Sequence, residues 1–291
     1  MNIAVIGLGA IGTTFAYLLS RGGHQVTVVA RGERLKTIRR DGSLVHVNGN
    51  RAQVQVAESL DTTVEYDLVL VTVLAHQLGP LEQRLQQSRA RQVMFMFNTV
   101  DSLSRLRELV GDARFVFAFP SVVASLPNDQ LTFKVFKVGQ VTLCTDARWA
   151  LVFSSAGITC RVQPQMQTWL RTHAVVIAVL QALASLAYRR QHGLSLRESW
   201  RHAQALSAGF SLVRQLEGRL VPLAFGVSAW VPAVFWVPGL WALSRSPLVR
   251  TLGAAGPREP RALIEALVAL RPEGVRELSV VMPETVPGSL S

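Results

Sequence analysis

The chain has 291 residues, 49% of them hydrophobic and 17% charged, with a formal net charge of +11. That composition excludes a disordered chain and is long enough for two domains with cores of their own. The positive charge is almost all arginine, scattered singly or in pairs such as Arg39-Arg40 and Arg189-Arg190. No zinc-finger, RNP-like or KH-like pattern accompanies it, so nucleic acid is not an expected partner. The two cysteines, Cys144 and Cys160, lie in no CxxC and beside no histidine. Neither a disulfide framework nor a metal site is expected, and a reducing, cytoplasmic setting fits.

The chain enters strand-like residues at Asn2 without a basic region and a long apolar run behind it, so no secretory signal is expected. Short apolar runs over 3–6, 25–29, 67–73, 92–97 and 114–119 alternate with amphipathic stretches, the pattern of βα units on a parallel sheet. Between the first two runs, Phe15, Leu18 and Leu19 recur at helical spacing from Ala10 onward, and Gly22-Gly23 ends that helix. Runs over 43–47 and 51–56 flank Asn48-Gly49-Asn50, a hairpin signal. A second antiparallel pair is expected over 131–137 and 140–144, joined near Gly139. Both hairpins read as antiparallel additions to a mainly parallel sheet.

After Gln163-Pro164 the pattern turns helical. Residues 165–188 read as one long helix with Leu170, Ala174, Ile177, Leu180 and Leu183 on or near one face. A second helix starts at Ser195, where Ser195 and Glu198 have capping-box spacing. It runs to about 220 with Trp200, Ala203, Phe210 and Val213 inward, and further helices end with 260–270. The expected organisation is an α/β, Rossmann-type doubly wound domain over 1–164 and an all-α domain for substrate and dimerisation over 165–291. Residues 220–243 carry no charge and are long enough to span a membrane, yet Pro222, Pro232 and Pro238 interrupt them. Broken buried helices or the interface of a homodimer are the favoured readings, and a membrane-attached form stays open.

Gly7-Leu8-Gly9-Ala10-Ile11-Gly12 is GxGxxG between a strand and a helix, the context in which that spacing means a bound dinucleotide. The first glycine allows a tight turn, the second admits the pyrophosphate to the backbone, and the third lets helix pack on sheet. The helix N-terminus then offers unpaired N–H groups to the phosphates. At the tip of the second strand, where an NAD-binding chain places a carboxylate for the ribose hydroxyls, this one reads Ala30-Arg31-Gly32-Glu33. A guanidinium at Arg31 suits a 2′-phosphate, so NADP(H) is the expected cofactor, with Glu33 in the first turn of the next helix.

The segments MNIAVIGLGAIGTTFAYLL, VVARGERL, VTVLAHQL and MFMFNTVDS, in that order and followed by a helical half, resemble the ketopantoate reductase (2-dehydropantoate 2-reductase) family. The resemblance implies NADPH-dependent reduction of a small-molecule 2-oxo acid to a 2-hydroxy acid. It places Gly7, Gly9, Gly12, Arg31 and Gln77 at the cofactor and Asn98 over the nicotinamide and substrate. The chain departs from the family at Leu74, where a lysine is usual, and at Thr99, which replaces a glycine. The family's Lys-Leu-x-x-Asn aligns with Trp169-Leu170-Arg171-Thr172-His173, so the proton-donating lysine is Trp169. His173, four residues on, projects from the same helix face and is the expected acid in its stead. Arg171, on another face, reads as a solvated charge rather than a clamp for a substrate carboxylate. Glu259 falls at the family's substrate-binding glutamate, and also where a carboxylate favours a helix start. The family's serine has no clean match, with Ser244 and Ser246 nearby. Two functions follow: a reductase of a 2-oxo acid or a bulkier carbonyl or imine compound, or an NADP(H)-binding sensor that has lost catalysis.

Overall fold

The computed structural model describes residues 1–136, 141–222, 225, 231–247, 249, 253, 256–271, 273 and 275–284. The chain divides into two compact units, Met1–Asn98 with Leu103–Met166, and Thr99–Ser102 with Gln167–Ser291.

In the first unit, β1 (Asn2–Ile6), β2 (Gln25–Val29), β5 (Gln55–Ala57), β6 (Leu68–Val71), β7 (Val93–Phe95) and β8 (Phe115–Phe119) form a parallel array in the order β5-β2-β1-β6-β7-β8. These strands are apolar along nearly their whole length because helices cover both faces, as a parallel sheet requires. β11 (Thr142–Cys144) adds antiparallel to β8, and β12 (Cys160–Val162) closes that edge parallel to β11. Helix α1 (Ala10–Arg21) follows β1 and buries Phe15, Ala16 and Leu19 completely against Ile3, Val5, Val28 and Leu70. Helix α2 (Gly32–Asp41) follows β2, and Glu33 pairs with Lys36 in its first turn at 2.7 Å, both exposed.

The hairpin around Gly49 forms, but only as β3 (Ser43–Val45) on β4 (Arg51–Gln53), a separate two-stranded sheet. The run over 51–56 breaks there, and β5 joins β2 in parallel. The second expected hairpin is corrected. β10 (Thr132–Val135) pairs with β9 (Val122–Ser125), whereas β11 belongs to the main sheet. The expected joint near Gly139 lies outside the described residues. Two neighbouring strand-like runs carry no mark of which distant strand each will join.

Helices α3 (Glu82–Gln87), α4 (Ser104–Val110) and α5 (Ala147–Ser155) follow in the first unit, and in the second α6 (Met166–Arg190) and α7 (Leu196–Glu217) pack as an antiparallel pair. A Cβ on Gly209 would stand 2.5 Å from Val175 Cγ1, so the two backbones approach closely at that level. Ala174, Val175, Ala178, Val179, Ala182 and Leu183 are buried on α6, while Ile177 and Leu180 are only half-buried. On α7, Ala203, Phe210 and Val213 are inward as expected, but Trp200 is 40% exposed. Arg171 is not a solvated charge: it pairs with Glu217, which also accepts from Thr168 Oγ1 at 2.9 Å. Its Nε donates to Val100 O at 2.9 Å, fixing the short segment Thr99–Ser102 to α6. α6 is long and apolar enough to cross a membrane, yet 61% of its apolar window is buried within the fold. Within 220–243, residues 223–224 and 226–230 lie outside the described residues; the rest holds a 3-10 turn, Ala233–Trp236, and a short helix, Val237–Leu243. No span-length helix forms there among the described residues, and Val234 and Phe235 are exposed at 53% and 70%. That exposure corrects the buried reading for these two side chains.

The capping box starts α7 as expected: Ser195 Oγ accepts from the Glu198 N–H, and the Glu198 carboxylate accepts from the Ser195 N–H at 2.9 Å. Partial burial pushes the Glu198 carboxyl up, but hydrogen bonds from Ser195 and the Arg190 guanidinium outweigh it and hold it at about 2. Because the folded value lies below the ordinary 4.5, the stability this group contributes is complete above pH 4.5 and lost as pH falls toward 2. Acid unfolding followed by circular dichroism should therefore lose part of its steepness over that window in Glu198→Gln. Ser195→Ala should cost about 1 kcal/mol.

Candidate functional site

The parallel strands end on one edge of the sheet, and β1 and β6 are neighbours whose connections leave in opposite directions, the switch point at which such sheets bind ligands. The glycine loop sits there. Gly7 has φ +97°, and a Cβ on it would lie 2.8 Å from Val73 N. A Cβ on Gly12 would lie 2.0 Å from Gly7 O and 2.4 Å from Thr72 Oγ1, so α1 can start only if residue 12 has no side chain. Gly9 differs: its φ of −67° suits any residue, and a Cβ there would meet nothing within 4 Å. The protein therefore gives no internal reason for glycine at position 9, and the open space lies where a pyrophosphate would approach the backbone. No acidic residue occupies the first turn of α1, so its free N–H groups and partial positive charge face no internal anion.

Thr72, which the sequence reading passed over, fastens this loop. It follows β6, its Oγ1 lies 2.6 Å from Gly7 O and 3.0 Å from Ile6 O, and its N–H donates to Ile6 O at 2.8 Å. A threonine after an apolar strand gives no sign of this until the strand order is known.

At the tip of β2 lies a cavity of about 500 Å³ lined by Gly7, Ala30, Arg31, Arg34, His76 and Gln77 among others. Arg31 is exposed at the start of α2, with an extended backbone, and its side chain makes no hydrogen bond or ion pair among the described residues. Gln77 closes the turn Ala75–Gln77, its Oε1 accepting from the Leu74 N–H at 3.2 Å. Asn98 follows β7 at the same edge of the sheet. Its Oδ1 is buried and accepts no hydrogen bond, a deficit worth roughly 1–3 kcal/mol unless a ligand donor fills it. The next residue, Thr99, replaces the family's glycine and has work of its own, its Oγ1 accepting from the Asp101 N–H at 3.2 Å. The loop, the open Gly9, the arginine-lined cavity and the orphaned Asn98 oxygen fit a dinucleotide.

In the helical unit, Trp169 and His173 are stacked one turn apart on α6, ring centroids 4.7 Å apart and planes 12° from parallel. Burial pushes the His173 imidazole down to about 4. That shift favours the neutral imidazole at pH 7. Glu259 is exposed in the first turn of the helix Arg258–Leu270, the placement its dipole favours. Ser244 is buried and structural: its Oγ accepts from the Leu194 N–H at 2.9 Å and donates to Trp241 O at 2.7 Å. Burial pushes the Cys144 and Cys160 thiols up to about 12, which keeps both protonated.

The first unit thus has a Rossmann-type fold, joined in one chain to a unit whose described elements are helical. Residues 3–143 match the family model described as Ketopantoate reductase PanE/ApbA. The sequence is 30% identical to the 2-dehydropantoate 2-reductase of Bacillus subtilis over 118 residues, 40% of this chain and 39% of that protein's length. A PanE/ApbA family ketopantoate reductase from Ralstonia eutropha superposes with a TM-score of 0.70 at 18% identity, covering 97% of this chain and 96% of the other. A dimeric ketopantoate reductase from Staphylococcus aureus gives 0.65 at 15% identity over 97% and 96%. The resemblance to the ketopantoate reductase family therefore holds, in sequence over residues 3–143 and in fold along almost the whole chain.

Thr72→Val should keep the side-chain volume while releasing the carbonyl of Gly7. The expected result is NADPH binding weakened about tenfold, as loss of one well-placed buried hydrogen bond allows, read by quenching of protein fluorescence.

Proposed function

We propose that the protein is an NADPH-dependent reductase of a 2-oxo acid or a related carbonyl or imine compound. The observation that carries this reading is the vacancy at Gly9: a helix N-terminus and an open cradle at a position where the fold itself has no need of glycine. Bound NADPH would supply the hydride. The loop Gly7, Leu8, Gly9, Ala10, Ile11, Gly12 would hold its pyrophosphate, Arg31 its 2′-phosphate, and Gln77 would line the wall beyond. Asn98 Oδ1 would accept from an N–H or O–H at the reacting end, and Glu259 would hold a substrate hydroxyl.

The proton is the harder part. The indole N–H of Trp169 is far too weak an acid to donate a proton as the lysine does, and stacking on it orients the imidazole of His173. Burial favours the neutral form of His173, and an anion brought beside it would draw it back toward the protonated one. A substrate carboxylate would do that, coupling proton uptake to binding. A flat aromatic pair where the family carries a flexible cation also favours a bulkier, more apolar substrate than ketopantoate. A homodimer belongs to the same reading, on the exposed Val234 and Phe235 and on the dimeric neighbour of like fold. A cytoplasmic location fits the two protonated, unpaired thiols.

The test is nicotinamide absorbance with ketopantoate and a panel of aromatic and aliphatic 2-oxo acids. With His173 as the acid, kcat/KM should fall about tenfold per pH unit from pH 5 to 8, because the free enzyme must take up a proton above its own pKa. In His173→Asn that slope should vanish along with most of the activity, and Asn98→Ala should lose turnover at any pH. A flat profile in the wild type would remove His173 from the reaction. Tight NADPH binding with no turnover on any substrate would favour the sensor instead.

A further inference from the structure

We propose that Arg34 is a second cation of the 2′-phosphate subsite, a specificity-determining residue working beside Arg31; this rests on the NADP(H) reading above. The two arginines stand three residues apart, Arg31 at the N-cap and Arg34 in the first turn of α2, and both line the cavity at the tip of β2. The opposite wall offers His76 and Gln77 from the turn Ala75–Gln77 but no lysine or arginine, and position 74 is an exposed leucine.

The state of the Arg34 guanidinium points to a missing anion. Its side chain is only 17% exposed. Nη1 is engaged by Asp129, donating to the backbone oxygen at 3.1 Å and lying 3.2 Å from Oδ1. Nη2 has only a long contact, 3.4 Å, to Thr13 Oγ1. Nε is buried and donates to nothing. The Nε/Nη2 edge is the one with which an arginine grips two phosphate oxygens side-on, and it is the edge left weakly bonded. Buried donors are otherwise satisfied almost without exception.

Two further features fit a clamp. Thr13 lies in the first turns of α1, so the same guanidinium touches the helix whose N-terminus faces the pyrophosphate. Asn128 and Asp129 both hold left-handed backbones, φ 49° and 62°, which non-glycine residues rarely adopt in succession. That turn keeps Asp129 against Nη1 and leaves the Nε/Nη2 edge of Arg34 weakly bonded, a strained support of the kind found at ligand clamps.

The experiment measures dissociation constants for NADPH and NADH, and for the fragments 2′,5′-ADP and 5′-ADP, in wild type, Arg34→Gln, Arg34→Lys and Arg31→Gln, with thermal melting as the control for folding. Arg34→Gln should weaken NADPH and 2′,5′-ADP about tenfold while NADH and 5′-ADP stay near wild type, the loss expected for one charge-assisted contact. Arg34→Lys, which keeps the charge but not the two-pronged edge, should recover part of it. The proposal is overturned if Arg34→Gln leaves NADPH binding unchanged, or weakens all four ligands alike, the mark of a residue that only braces α1. If Arg31→Gln abolishes the preference for NADPH and Arg34→Gln does not, the cofactor reading stands and Arg34 falls. If wild type holds NADH as tightly as NADPH, the cofactor reading itself fails.

Discussion

Gly12 packs so closely on the carbonyl of Gly7 that even a methyl group would lie 2.0 Å from that oxygen. This contact draws the first turn of α1 down onto the end of β1, and the rest of the binding edge is arranged around it. Thr72 ties the same carbonyl to the end of β6, so the loop is fixed on both sides of the sheet's switch point. With α1 held there, its unpaired N–H groups, the open position at Gly9 and the arginines beyond β2 face the same edge. The full burial of Phe15 and Leu19 below supplies the stability against which this tight approach is held.

The helical unit is organised by a different constraint. Arg171 and Glu217 share a largely buried pair, satisfied further by Thr168 and by the carbonyl of Val100. Removing one partner of such a pair strands the other charge in a poor solvent, which costs more than the pair itself contributes. The arginine beside the expected acid is thus occupied in holding α6, α7 and the segment Thr99–Ser102 together. Two residues along, burial favours the neutral form of His173, so the chemistry proposed for it draws on charge that a substrate brings.

Much of the first unit could be read directly from the residues. Glycine spacing, the apolar runs and Arg31 report local backbone needs, and local needs are what a sequence displays. The strand pairings beyond the parallel core were not legible: β10 and β11 are adjacent in sequence, but their partners are chosen by a sheet assembled from distant segments. The same applies to charge. Arg171 and Arg34 owe their roles to Glu217 and Asp129, 46 and 95 residues away. His173 is shifted by burial, which no neighbour in sequence announces. Thr72 is the site residue with the weakest sequence signal, since its importance lies entirely in the carbonyl it meets. The Ser195–Glu198 box was legible because both partners sit within one turn.

Gly9 offers the most direct test of the account, because there the needs of the fold and of the ligand separate. A side chain at Gly9 has room in the protein and no backbone strain, but it would occupy the path by which a pyrophosphate reaches the helix N-terminus. The measurement is an NADPH titration of Gly9→Val beside wild type, with the melting temperature of each recorded in the absence of ligand. The account predicts saturable binding in the wild type, none in the variant, and closely similar melting temperatures. NADPH binding equally well to both proteins would contradict it, since the dinucleotide would then lie somewhere other than the glycine loop.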